Sequence, residues 1–329
     1  METLPSNFDG VRFHNLVPRR NGFRALLRWM LTRRRGPWHR QRDLKPGACP
    51  PRNSERPRVT FVNHATFLLQ LNGINVLTDP IWSERASPVS WAGPQRYRPP
   101  GIRFADLPPI DFVLLSHDHY DHLDLPTLRR LHQHHGPTIY AGLNSAPLLR
   151  RHGIGNVVEM DWWQETTARR DLWISAVPAQ HFSGRTPFDV QKRLWCGFVM
   201  QTEETCIYFA GDTAMGPHFA QIALKFPAID LAILPIGAYR PAWFMGEVHL
   251  SPQDAVEVHL QLGARISVAG HFGTFDLGDD GQDEAVQALL EVLRGRNLRG
   301  TEFWALQFGE GSDLVSRPKA QPERVVIAG

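Results

Sequence analysis

Seven consecutive residues, Ser-His-Asp-His-Tyr-Asp-His at positions 116–122, constrain this chain more than any other feature. They directly follow four apolar residues that are typical of a buried strand. Neutral imidazoles offer the lone pairs that a borderline-soft divalent metal binds, whereas charged ones would repel each other. Alternation along the chain points His117 and His119 to one side, and Asp121 and His122 can then reach a second centre. The loop therefore predicts two metal sites.

Three more candidate ligands follow predicted strands as single polar residues: His181, Asp212 and His271. The end of a strand is a rigid base for a ligand, and the loop beyond it is open to a substrate. The three cysteines lie far apart and form no CxxC pair, which favours reduced thiols. The sequence therefore predicts a metal held by histidine and carboxylate.

Apolar runs and helical periodicity outline the rest of the chain. Strands are predicted at 59–62, 67–71, 75–78, 112–115, 172–177, 194–200, 206–210, 231–234, 266–268 and 303–306. Helices are predicted at 145–152, 217–225, 252–262 and 282–293, with one more that Asp124 caps. Asn72-Gly73 predicts a hairpin turn, and Ser251-Pro252 predicts a helix start. Hairpins followed by alternating strands and helices indicate an α/β sandwich of two sheets flanked by helices. The long irregular stretch 80–109 is expected to be functional.

The first 45 residues differ in charge from the rest. They hold eleven basic and three acidic residues, a net charge of about +8 that contrasts with +3 for the whole chain. Their apolar residues at helical spacing are Phe23, Leu26, Leu27, Met30 and Leu31. We expect this stripe to pack on the core and the arginines to favour an anionic surface weakly; a membrane anchor is the alternative. Basic arms also bind nucleic acid, but no module that reads it accompanies this one, so no nucleic-acid partner is predicted.

The segment 46–57 is rich in proline, which indicates a linker. We therefore expect a basic segment and linker over 1–57 and a catalytic domain over 58–329. No apolar run reaches the length of a membrane span, and the first residues lack the order of a signal peptide. These features favour a cytoplasmic protein, with peripheral attachment to a membrane as a further option.

The HxHxDH motif at 117–122, with the later His, Asp and His at strand ends, resembles the metallo-β-lactamase superfamily over roughly residues 58–310. Longer stretches resemble N-acylphosphatidylethanolamine phospholipase D and its bacterial relatives. These stretches are VNHATFLLQLNGINVLTDPIWSERASP, LPPIDFVLLSHDHYDHLD, AGDTAMGP and LPIGAYRPAWFM. The resemblance implies the four-layer αββα fold.

The same resemblance implies two zinc ions per chain. One would be held by His117, His119 and His181, the second by Asp121, His122 and His271, with Asp212 bridging them. Histidine at position 119 favours zinc, because the di-iron relatives are expected to carry glutamate there. A hydroxide between the metals would attack a phosphodiester and release an N-acylethanolamine-like group from a phospholipid. A lactonase or other ester hydrolase on this fold, and a binding protein without activity, stay open as alternatives.

Several further residues are candidates for the site. Asp121 and His249 are the candidate catalytic residues; His249 matches a histidine of the phospholipase relatives and could protonate a leaving group or bind phosphate. Asp79 is expected to orient a ligand histidine, although an aspartate before proline also starts turns. Arg185 could bind a phosphate oxygen or be a solvated loop residue. Tyr239 is expected to line an apolar entrance with Trp243 and Phe244, or to belong to the core.

Overall fold

A computed structural model describes residues 7–41, 43–169, 171–298 and 302–314. The first strands are β1 (Arg58–Asn63), β2 (Thr66–Leu71), β3 (Ile74–Thr78), β4 (Phe112–Leu115), β5 (Thr138–Gly142), β6 (Val157–Met160) and β7 (Glu165–Arg169). The later ones are β8 (Leu172–Val177), β9 (Gly197–Gln201), β10 (Cys206–Phe209), β11 (Leu231–Pro235), β12 (Ile266–Gly270), β13 (Phe303–Trp304) and β14 (Gly311–Asp313). The helices are α1 (Phe23–Thr32), α2 (Leu125–His134), α3 (Ala146–Arg151), α4 (His218–Lys225), α5 (Ala242–Met245), α6 (Pro252–Leu262) and α7 (Glu284–Gly295).

The strands form two seven-stranded sheets. Their orders are β14-β1-β2-β3-β4-β5-β6 and β13-β12-β11-β10-β9-β8-β7. The run β3 to β6 is parallel, as is β10 to β13, and the other neighbours are antiparallel. Apolar residues of α2 and α3 pack with the first sheet, and those of α4, α6 and α7 pack with the second. The predicted αββα sandwich is confirmed.

Strand β2 shows why the central strands are continuous apolar runs. Phe67 and Leu69 join the large core that contains residues of both sheets. Leu68, which points the opposite way, joins a second core with Leu128 and Leu131 of α2. Both faces of the sheet are therefore covered, and every residue of the strand is buried.

The local predictions hold at two positions. Asn72 and Gly73 have φ of +49° and +75° and join β2 to β3, as the hairpin signal predicts. Ser251 caps α6 in a capping box, with its hydroxyl accepting from the backbone N–H of Asp254. Strands β5, β6, β7 and β14 and the short helix α5 were not predicted. The exposed, polar β7 shows one reason, since it lacks an apolar face.

Asp124 does not act as the predicted helix cap. It lies at the N-cap position of α2, but its side chain makes no capping hydrogen bond. Its carboxylate instead accepts from the backbone N–H groups of Trp82 and Ser83, at 3.3 and 3.0 Å, and from the hydroxyl of Thr127 at 2.5 Å. Asp124 therefore anchors the start of the irregular loop.

Helix α1 contradicts the expectation that its stripe packs on the core. Phe23 and Leu31 are each 78% exposed, and the helix buries no residue. Residues at the border of the stripe hold the helix in place, because Trp29 stacks on Phe244 at 5.1 Å between ring centroids. Arg33, which lies over the Trp29 ring, pairs with Asp276 at 2.7 Å. The apolar stripe therefore faces outward. None of the described helices has the length and apolar character that crossing a membrane requires.

Candidate metal centre

The predicted ligands come together because the strands that precede them end at one edge of the sandwich. Strands β3 and β4 are parallel neighbours, so residues that follow both lie together. Strands β8, β10 and β12 also share one direction, since β9 is antiparallel to both β8 and β10. The residues brought to this edge are Asp79, His117, His119, Asp121, His122, His181, Asp212 and His271.

Three imidazoles form the first group of donors. The Nε2 of His117 lies 2.9 Å from the Nδ1 of His119. The Nε2 of His181 lies 3.2 Å from that same nitrogen. Burial lowers the pKa of His117 and of His181 well below the usual value, against the opposing effect of Asp212. Both rings are therefore neutral and have lone pairs to offer a metal.

Asp121, His122 and His271 form the second group, and Asp212 adjoins both. The Oδ2 of Asp121 lies 3.3 Å from the Nε2 of His122 and 3.4 Å from that of His271. The Oδ2 of Asp212 lies 3.1 and 3.0 Å from these two nitrogens. It also lies 3.8 Å from the Nε2 of His181. One carboxylate oxygen thus faces both groups.

The buried atoms at the centre fit a metal pair. Within the described chain, the Nε2 atoms of His122 and His271 and the Oδ1 of Asp212 have no hydrogen-bond partner. Burying such atoms without partners is costly, and each would be satisfied as a metal ligand. Histidine nitrogen with carboxylate oxygen is a donor set that zinc favours. The arrangement therefore suits two divalent ions that share Asp212.

The outer nitrogens of the predicted ligands are held by specific acceptors. His122 donates from Nδ1 to the Oδ2 of Asp79 at 2.7 Å. Asp79 also accepts from the hydroxyl and backbone N–H of Ser116, at 2.5 and 2.7 Å. His181 donates from Nδ1 to the carbonyl of Val248 at 2.8 Å. These bonds turn the Nε2 lone pairs of both rings toward the centre.

Asp79→Ala tests the orienting contact. Without its acceptor, His122 loses its fixed tautomer, and we expect metal affinity to fall by roughly 10- to 100-fold. Competition against a chelator of known affinity measures the change. Asp111→Ala is the matched control, because this carboxylate also bonds a backbone N–H but at the opposite end of β4. If both variants bind metal as tightly as the parent, Asp79 has no orienting role and only shapes the turn.

Three non-glycine residues at the centre adopt positive φ. His64, Asp79 and His271 have φ of 48°, 33° and 58°. Such conformations are costly for residues with a side chain, and they cluster at functional sites where surrounding contacts enforce them. Here the N–H of His271 donates to the carbonyl of His64 at 2.7 Å, which ties the two sheets together beside the centre.

The comparisons with known proteins agree with this geometry. The family model for the beta-lactamase superfamily domain matches residues 74–272. The chain is 39% identical over 264 residues to N-acyl-phosphatidylethanolamine-hydrolyzing phospholipase D 1 of Caenorhabditis elegans, covering 76% of this chain and 74% of that one. It belongs to the metallo-β-lactamase superfamily.

Two further relatives bear on the family and the fold. The mitochondrial N-acyl-phosphatidylethanolamine-hydrolyzing phospholipase D of Saccharomyces cerevisiae is 34% identical over 215 residues, covering 64% of this chain and 46% of that one. The structure of a metallo hydrolase from the archaeon Ignicoccus hospitalis has a TM-score of 0.59 at 19% identity, covering 80% of this chain and 99% of that one. The chain is thus a metal-dependent hydrolase of this superfamily, and its nematode and yeast relatives carry a phospholipase name.

His64 belongs to the centre, where the sequence alone left open whether it supports the site from behind or only packs there. Its Nε2 lies 2.8 Å from the Oδ2 of Asp121, and its ring centroid is 4.1 Å from that of His271. It comes from the turn between β1 and β2, on the first sheet. A lone histidine in a hairpin carries no spacing signal, so only the packing of the two sheets reveals its position.

His249 lies at the partly exposed side of the metallo-β-lactamase centre, with 13% of its side chain exposed against 2% for Asp212. Its Nδ1 is 3.8 Å from the Oδ2 of Asp212 and, among the described residues, has no hydrogen-bond partner. Burial lowers the pKa of His249 to about 4, with Asp212 opposing, so the ring is neutral at pH 7. It can therefore donate one hydrogen bond to an oxygen of a bound substrate.

Arg185 and Tyr239 have protein partners in the structure. Arg185 donates from Nη1 to the carbonyls of Asp118 and Leu123, at 2.8 and 2.9 Å. These bonds stabilise the loop that carries the predicted ligands. The Tyr239 hydroxyl donates to Glu284 at 3.1 Å. Substrate binding by either residue stays a prediction.

The irregular stretch 80–109 lies beside the loop of ligands. Ile81 and Ala86 form a small core with Phe275, and Tyr120 of the motif packs against it. The buried Arg96 donates from Nε to the carbonyl of Ser83 at 2.9 Å. The stretch therefore contacts the loop that carries the predicted ligands, while its functional role stays a prediction.

The N-terminal segment also reaches the centre. Asn15 donates to the carbonyl of His181 at 2.7 Å and accepts from its N–H at 3.1 Å. The same Oδ1 accepts from Trp195 at 3.0 Å. The segment therefore fixes the backbone of a predicted metal ligand. The proposed boundary at residue 57 stays a prediction, but part of the first segment lies directly against the catalytic domain.

Proposed function

We propose that this chain is a dinuclear zinc phosphodiesterase that acts on phospholipids of the N-acylphosphatidylethanolamine type. The observation that best supports this proposal is the position of Asp212. Its Oδ2 lies within 3.0 to 4.0 Å of nitrogens from both donor groups. Such a shared carboxylate supports two metal ions. The phospholipase name of the nematode relative, at 39% identity, supports the substrate class.

The residues around the bound phosphodiester would have separate roles. A zinc pair supplies an activated water near neutral pH and neutralises charge on the attacked oxygens. Asp121 holds its place in the second donor group through the contact with His64. His249 donates a hydrogen bond to a substrate oxygen from the partly exposed side. The products would be an N-acylethanolamine and phosphatidic acid.

Paired substrates test this function. Metal-loaded protein is assayed with bis(4-nitrophenyl) phosphate, with a simple lactone and with vesicles of N-acylphosphatidylethanolamine. We expect phosphodiester turnover that a chelator abolishes and zinc restores, and release of N-acylethanolamine from the vesicles. Lactone turnover in place of both would favour an ester hydrolase. Metal binding without any turnover would favour a binding protein.

An enzyme with a lipid substrate must bind to the surface of a bilayer. Helix α1 has a face that suits such binding. Its exposed stripe includes Met30 at 63% and Leu31 at 78% exposure, and Trp243, which contacts Arg28 of α1, is 43% exposed. Arg24 and Arg28 flank this stripe. An apolar face bordered by arginine is typical of helices that lie in the membrane interface. We therefore propose that the protein binds peripherally to an anionic membrane surface in the cytoplasm.

Vesicle binding should depend on salt and on the stripe. Each basic residue near an anionic surface contributes on the order of 1 kcal/mol, and salt screens it. We expect co-sedimentation with phosphatidylglycerol vesicles at low salt and release at high salt. Met30→Ser with Leu31→Ser should weaken binding about tenfold or more, since two apolar side chains lose their burial.

Leu224→Ser is the matched control, because Leu224 is 85% exposed on α4, away from this stripe. It should bind vesicles as the parent does. A full-length protein that ignores anionic vesicles at low ionic strength would contradict the membrane attachment and move the substrate class toward soluble esters.

A further inference from the structure

A cavity of about 710 Å³ lies between the N-terminal segment and the loop that follows His181. Its walls combine apolar side chains with arginine and histidine. The apolar residues used below are Phe23, Leu26, Phe182, Val190 and Phe244. Six other lining residues are polar or charged, so the cavity suits a ligand that has both an apolar and a polar part.

Phe182 connects this cavity to the metal centre. Its ring centroid lies 4.5 Å from that of His119 and 5.0 Å from that of His181. The Phe182 ring is therefore part of the cavity wall and also packs on two predicted ligands. A molecule in the cavity would adjoin the first donor group.

Arg19 lies in the cavity wall and has a nitrogen that lacks a hydrogen-bond partner among the described residues. Its guanidinium carbon lies 4.1 Å above the Phe182 ring. Its Nε is buried and has no hydrogen-bond partner among the described residues. The nearby carboxylate of Glu247 accepts from the backbone N–H groups of Arg20 and Asn21, both at 2.9 Å. Burial lowers the pKa of the Arg19 guanidinium, although Glu247 also favours its charged form, so a further anion in the cavity would stabilise its charge.

We propose that this cavity is the subsite for an amphiphilic substrate, with Arg19 contacting an anionic oxygen and the apolar wall contacting an alkyl chain. The substrate class rests on the proposed function, since the cavity adjoins the centre that would cleave it. Phe23 and Leu26 belong both to the cavity wall and to the stripe of α1. A chain could therefore pass from the membrane surface to the metal centre along α1. Arg19 is thus a specificity-determining residue supplied by the N-terminal segment.

Binding of octyl phosphate and ethyl phosphate to the metal-loaded protein tests the subsite without requiring turnover. Isothermal titration is done below the concentration at which octyl phosphate aggregates. We expect octyl phosphate to bind at least tenfold more tightly, because its longer chain buries more apolar surface. Arg19→Ala should weaken octyl phosphate about tenfold, the scale of a hydrogen bond to a charged group. Arg19→Lys should recover part of this loss.

Matched variants separate the two contacts. Arg20→Ala alters an exposed neighbouring arginine outside the cavity and should bind both probes like the parent. Leu26→Ser should remove the preference for the octyl chain, with no loss of ethyl phosphate. Metal content and melting temperature check that each variant is folded and loaded.

The outcomes distinguish this subsite from the proposed activity. Equal affinities for the two probes in the parent would overturn the alkyl part, and unchanged affinity in Arg19→Ala would overturn the anion part. A parent that hydrolyses no phosphodiester but keeps the chain preference and the Arg19 effect would refute the proposed function alone. Tight octyl binding that is lost equally in Arg19→Ala and Arg20→Ala would indicate general charge attraction and contradict the subsite.

Discussion

Asp212→Ala should remove both metals and with them the hydrolytic activity. The parent, purified without chelator, should carry about two zinc ions per chain, because all seven predicted ligands converge. The Oδ2 of Asp212 lies closest to His122 and His271 and also faces His181. Loss of this oxygen therefore weakens both positions at once, and turnover should fall to that of the chelated parent. Metal analysis and phosphodiester hydrolysis measure the two effects.

Two controls define this result. Asp43→Ala removes an exposed carboxylate from the N-terminal segment and should leave metal content and turnover unchanged. Asp212→Asn keeps the shape and removes the charge, so it should also lose metal while its melting temperature stays near that of the metal-free parent. Full activity in a metal-free protein would contradict the metallohydrolase interpretation as a whole.

His249→Ala should keep both metals and slow turnover by roughly 10²-fold or more, the scale for losing a donor to charge that develops in the transition state. His249 is not needed to complete either donor group, so metal content should not change. Because burial keeps the ring neutral at pH 7, we expect a hydrogen bond to the phosphate more than a proton for the leaving group. The loss should then be similar for nitrophenolate and alkoxide leaving groups.

The leaving-group comparison also separates the alternatives for His249. A much larger loss with the alkoxide would make this histidine the proton donor. Normal turnover of the alkyl phosphodiester would show that it has no part in the reaction. The buried His218, whose ring lies 3.1 Å from the hydroxyl of Thr213, is not a predicted ligand, and His218→Ala serves as a control for removing a buried imidazole.

Local sequence determined the elements that carry the site. The apolar run 112–115 forms β4, and the motif that follows it needed only the alternation of a strand to predict that His117 and His119 share a side. His181, Asp212 and His271 were predicted because a single polar residue follows a buried strand in each case. Asp79 lies where a strand ends beside β4, and its contact with His122 agrees with the expected orienting role.

The sequence alone could not decide the role of residues that depend on distant packing. His64 joins the centre only because the two sheets meet at one edge, where it contacts Asp121 and His271. Asn15 and Arg19 belong to a segment whose charge and helical stripe suggested a separate unit. Asn15 contacts the backbone of His181 and Arg19 contacts the ring of Phe182, and each pair is more than 160 residues apart in the chain.

The orientation of α1 was likewise decided by tertiary structure alone. Its periodicity predicts an apolar stripe but does not say whether the stripe faces the core or solvent. Trp29 and Arg33, at the border of the stripe, contact Phe244, Asp276 and Asp279, and the stripe remains exposed. Sequence thus determined the strands that precede the predicted ligands, the motif and its residue types, since these depend on near neighbours. The tertiary structure decided which distant side chains complete the site, because that depends on how the sheets and the N-terminal segment pack together.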